Sequence, residues 1–90
     1  MDEIKADIFS GKELMFENIT VYITLSTDRI SNLKEWRGIF YVPITQDIDT
    51  GGPYRIELKD GRSGNILITN IKINFQKPCE VFFVGSGPLK

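Results

Sequence analysis

Few residues of this 90-residue chain have the type and spacing that catalysis requires, and the strongest restriction is that it contains no histidine. Ser-His and Cys-His nucleophilic designs are therefore excluded, and a general base would have to be Asp, Glu, Lys or Tyr. Asp47 and Asp49, ahead of Thr50-Gly51, form an oxygen-rich stretch that could hold a cation or serve as paired carboxylates. An EF-hand loop counted from Asp47 needs a side-chain ligand at its fifth position and Glu at its twelfth, where this chain has Gly51 and Leu58. Asp, Thr and Gly are also ordinary makers of a surface turn, which is the reading adopted. The same stretch falls short of the Asp/Asn-x-Ser-x-x-Gly turn of the PilZ barrels, because Asp49 stands where Ser belongs and no two arginines are four apart. The single cysteine, Cys79, has no partner for a disulfide or a zinc site and reads as a small buried apolar residue. No catalytic residue, metal site or cofactor is expected, and the chain is read as not an enzyme.

Binding chemistry is better represented. Trp36 precedes Arg37 and Tyr54 precedes Arg55, with Tyr41 and Arg62 as further members of an aromatic and basic set. Such pairs stack bases and hold phosphates in single-strand nucleic-acid binders. Trp36, Arg37, Arg55 and Arg62 are accordingly the candidate ligand-binding residues. Strand alternation works against the set, since Tyr54 falls on the buried side of Ile56 and Arg55 on the other.

These residues must be positioned by strands, because period-two alternation dominates the chain. In 19–25, Ile19, Val21, Ile23 and Leu25 share one face while Thr20, Tyr22 and Thr24 share the other. A two-residue Glu17-Asn18 loop would set Phe16 opposite Ile19, and a three-residue loop at Ser10-Gly11-Lys12 would set Ile8 against Leu14. The first 25 residues then read as a three-stranded meander. Residues 26–35 could hold one or two helical turns carrying Ile30 and Leu33 inward. Residues 36–42 return to strand character before Pro43, and 46–53 form a polar, Gly-rich loop. A three-residue loop of Asp60, Gly61 and Arg62 aligns Ile56 with Ile66 and leaves Arg55, Glu57 and Leu67 on the opposite face. A parity change near Asn70 moves the buried set to Ile71, Ile73 and Phe75 and demands a bulge or turn. The segments around Gly11 and Gly61 look alike, but too faintly for a repeat.

The expected fold is all-β: one domain over 1–90, a small antiparallel barrel (SH3-like or OB-like) or compact sandwich of about seven short strands with at most one short helix. Composition agrees, with 41% hydrophobic and 26% charged residues. A chain this short buries only roughly 60–65% of its unfolded surface, so its core must be economical. Eleven basic against twelve acidic residues leave a charge of −1 and no general attraction to nucleic acid or anionic lipid. No apolar run approaches a membrane span, and the start of the chain lacks the pattern of a signal peptide, so a cytoplasmic protein is expected. Residues 81–84 put Val81 and Phe83 on one side and Phe82 and Val84 on the other, and both sides need cover. Phe82 and Val84 are thus the candidate interface residues, and the expected partner is a second copy of the chain or another protein. The function read from the sequence is a non-catalytic binding or protein-interaction module. The alternative is weak binding of single-stranded nucleic acid or a nucleotide.

Overall fold

Alternation puts every second side chain on one face, and a sheet with one apolar face can bury it by curling until its two edges meet. The computed structural model describes residues 2–27, 34–42, 50–73 and 78–90. They form strands β1 (Asp2–Ser10), β2 (Glu13–Thr27), β3 (Lys34–Val42), β4 (Gly51–Leu58), β5 (Ser63–Lys72) and β6 (Cys79–Ser86). Neighbours follow the order β1-β2-β3-β6-β5-β4, every pairing is antiparallel, and β1 against β4 closes the barrel. Two consecutive meanders, β1-β2-β3 and β4-β5-β6, are therefore joined along two seams, β1 to β4 and β3 to β6. The all-β class and the barrel agree with the sequence, and closure removes the sandwich. No helix occurs among the described residues, hence none long and apolar enough to cross a membrane. The expected helical turns with Ile30 and Leu33, the carboxylates Asp47 and Asp49, and Phe75 lie outside the described residues.

Three local expectations are corrected. The change of parity between Phe16 and Ile19 is absorbed by a bulge inside one long β2, not by a hairpin at Glu17-Asn18. Ala6 faces Ile19, Ile8 faces Phe16, and the register shifts between them. Asn18 takes a left-handed backbone (φ 53), and its N–H donates to Asp7 Oδ1 at 2.8 Å. A short polar residue tolerates that conformation best, which is why the bulge sits here. The first turn is Gly11-Lys12, since Ser10 pairs with Glu13, and six strands result. The second correction is at the β4–β5 hairpin. There the Leu58 N–H donates to the Arg62 carbonyl (2.8 Å) and the Gly61 N–H to the Leu58 carbonyl (3.0 Å). The three-residue loop is thus Lys59-Asp60-Gly61, one position earlier than expected, with Gly61 at φ 101. Tyr54 faces Ile66 and Ile56 faces Gly64, yet the faces stand as read: Ile56 and Ile66 are buried, while Arg55 and Leu67 are exposed. Third, the bulge expected near Asn70 is present, between Ile68 and Asn70, and beyond it Ile71 packs against the core as read, but Ile73 does not. Ile73, expected inside, is 65% exposed.

The interior is filled by setting large residues opposite small ones. β3 turns Trp36, Gly38, Phe40 and Val42 inward, and β6 turns Cys79, Val81, Phe83 and Gly85 toward them, with Gly38 paired to Phe83 and Val42 to Cys79. A Cβ on Gly38 would stand 2.6 Å from the Phe83 ring, and one on Gly85 only 2.1 Å from the Trp36 indole. Both positions therefore require glycine, because an aromatic side chain of the neighbouring strand occupies the space a Cβ would need. Phe16, Phe40, Phe83 and Trp36 form a chain of ring contacts with centroids 5.8–6.2 Å apart. At the Trp36 end the indole N–H donates to the Gly87 carbonyl at 2.8 Å. Residues 87–90 are held over it by reciprocal backbone bonds between Ser63 and Lys90, and Leu89 packs on the core.

Candidate functional site

With the inner face committed to packing, recognition falls to the outward side chains, and these divide into two walls. The first follows the β1–β4 seam and is charged. Lys59 Nζ lies 3.0 Å from Asp7 Oδ2, Lys5 Nζ donates to Thr20 Oγ1 at 2.6 Å, and Arg55 lies 3.9 Å from Glu57. Arg62 pairs with Asp60 at 2.9 Å in the hairpin at its end. The Asn18 N–H, and after it the Lys59 ammonium, hold the Asp7 carboxyl below its ordinary range. The Arg62 N–H, followed by its guanidinium, does the same for Asp60. Of the charged groups named on this side, Lys59 and Asp7, Arg55 and Glu57, and Arg62 and Asp60 are paired, and Lys5 has a hydroxyl partner.

The second wall runs across β2, β3, β6 and β5 and is apolar. Tyr22, Ile39 and Phe82 stand side by side on three successive strands. Val84 and Leu67 pair on one flank, and Tyr41, on the other, meets Tyr22 edge-on at 6.1 Å. Tyr41 is 40% exposed, Leu67 38% and Val84 37%. Lys72 Nζ lies 5.6 Å from the centre of the Phe82 ring. Arg37, beside Val84, and Glu80, beside Tyr41, mark opposite ends of this wall. Among the described residues neither has an ion pair.

The sequence-derived candidates fall in different places. Trp36 is 5% exposed and belongs to the core. Arg37 borders the apolar wall, Arg55 lies on the charged wall and Arg62 in the hairpin. β6 and β5 stand between Arg37 and Arg55, about 14 Å of sheet at the usual strand spacing. The three arginines therefore share no face. Phe82 and Val84 lie together on the apolar wall. Tyr22, Ile39, Tyr41 and Leu67 complete it; alternation puts Tyr22 and Leu67 outward, but the sequence does not mark the four as one interface. The available signal was the run Ile39-Phe40-Tyr41-Val42, apolar on both sides as 81–84 is. Two such strands can share one wall by becoming neighbours, as β3 and β6 do.

Cys79 is buried opposite Val42 with a free thiol. Among the described residues no three His, Cys, Asp or Glu gather as a metal site needs, and every buried side-chain nitrogen or oxygen has a partner. What the apolar wall can do chemically is release water: contact with a complementary surface gains about 25 cal/mol per Å² of apolar area covered. Compared with protein-family models, curated proteins and solved structures, the chain matches none.

Proposed function

We propose that this protein is a non-catalytic interaction module that docks protein on the wall formed by β2, β3, β6 and β5. The observation that carries the reading is the grouping of Tyr22, Ile39, Tyr41, Leu67, Phe82 and Val84 on one side of a closed barrel whose interior is already full. Apolar patches with a polar rim mark association sites, and the enrichment in Tyr and Phe is typical of interface cores. A chain without histidine, in which Lys59 pairs with Asp7 and Arg55 with Glu57 on the other wall, offers little support for catalysis. Weak binding of single-stranded nucleic acid is the less favoured reading, because the arginines it needs are divided between walls. A single cysteine, buried and without a disulfide partner, is compatible with work in the cytoplasm.

The experiment compares three immobilised proteins of verified fold: the wild type, Phe82→Lys on the apolar wall and Arg55→Glu on the charged wall. The expected result is a set of proteins retained by the wild type and by Arg55→Glu but lost from Phe82→Lys. Identical retention by all three would overturn the reading.

A further inference from the structure

We infer that the occupant of the apolar wall is a second copy of this chain, seated face to face about a two-fold axis. The inference rests on the reading above and names the partner. Its basis is the layout of the wall, in which Arg37 and Glu80 lie at opposite ends on neighbouring strands with Ile39 and Phe82 between them. A two-fold axis laid across the strands near Ile39 and Phe82 sets each of these beside its own counterpart and exchanges the two ends of the wall. Arg37 of each protomer then stands over the Tyr41 and Glu80 end of the other, so one charged contact is made twice. The two sheets need cross by only about 30° to follow their natural twist, which keeps those ends in register.

Two further observations fit. The formal charge of −1 leaves almost no repulsion between copies. The wall also has an apolar centre with charges of both signs at its ends, Arg37 at one and Glu80 beside Lys72 at the other. Arg37 and Glu80 have no ion pair among the described residues of the single chain, and a second wall would bring the two together.

The test is sedimentation equilibrium of the full chain up to about 1 mM, the concentration at which even a weak dimer forms. The expected result is a monomer–dimer equilibrium that Phe82→Lys abolishes. Arg37→Glu and Glu80→Arg should each weaken it by about tenfold, and the double variant Arg37→Glu, Glu80→Arg should recover most of that loss. The charge variants change no buried residue, so they decide the matter even if Phe82→Lys folds poorly. A chain that stays monomeric throughout, or a dimer indifferent to all of these changes, overturns the inference. A monomer that still retains proteins through its Phe82 wall loses this inference alone, and the interaction module survives. Loss of both results removes both.

Discussion

The two outer walls both rest on buried apolar residues and yet differ in most of their outward side chains. Under the charged wall lie Ala6, Ile8, Ile56 and Leu58, all buried; under the apolar wall lie Phe40, Val81 and Phe83, also buried. Stability of the barrel therefore does not account for the apolar side chains on the second wall. The charged wall shows what a side left to solvent looks like here: short ion pairs, a carboxylate closing a bulge, and Phe9 half-buried opposite Arg55. Where β3 meets β6 the outward positions hold Ile39, Tyr41, Phe82 and Val84 instead. The difference separates residues that serve folding from outward residues that, on the proposed reading, serve contact.

The largest effects should fall on the interiors and should be alike for both walls. Phe83→Ala is expected to cost about 3–5 kcal/mol and Ile8→Ala about 2–5 kcal/mol in denaturant titrations. Ile66→Ala, between them on β5, should cost about 2–4 kcal/mol. A much smaller penalty on one side would break the premise that both walls rest on a packed interior.

Next comes the bulge under the charged wall. Because the Asp7 carboxyl titrates below its ordinary value of 3.8 in the folded chain, the unfolded chain binds the proton first as pH falls. The stabilisation is complete above the ordinary carboxylate pKa and is lost as pH drops through the lower folded value. Asp7→Asn should flatten that acid limb by no more than about 1 kcal/mol, given a carboxylate that solvent reaches and salt screens. An acid limb unchanged in Asp7→Asn would show that neither Asn18 nor Lys59 gains from the charge.

Outward substitutions should do least to the fold. Glu57→Ala and Phe82→Lys are each expected to stay within about 1 kcal/mol of the wild type, while only Phe82→Lys alters association. Smallest of all is the predicted effect of single-stranded nucleic acid: fluorescence titration at physiological salt should give weak binding that Arg37→Glu scarcely changes. Submicromolar affinity with a steep salt dependence would instead restore the divided arginines to importance.

Class and faces were legible in the sequence because alternation is a local property, and Ile56, Ile66, Val81 and Phe83 declare their side wherever their strands pair. Register was less legible. A parity change at Glu17-Asn18 can be met by a hairpin or by a bulge, and the choice depends on Asp7, eleven residues away, whose carboxylate binds the Asn18 N–H. One residue of uncertainty in the β4–β5 loop likewise turned on two backbone hydrogen bonds that composition does not encode. The apolar wall was half legible. Phe82 and Val84 were visible as outward apolar groups, but their neighbours come from β2, β3 and β5, and only the seam between β3 and β6 brings them together.

Trp36 is the only tryptophan in the chain, and its indole is capped by the Gly87 carbonyl beneath residues 87–90. The protein thus carries its own optical gauge of one end of the barrel. Emission from this ring will be that of a dry, hydrogen-bonded indole while the terminal segment stays paired with Ser63, and will move to the red when water reaches it. Red-shifted light appearing before the loss of the β spectrum would time the undocking of that segment separately from the unravelling of the sheet.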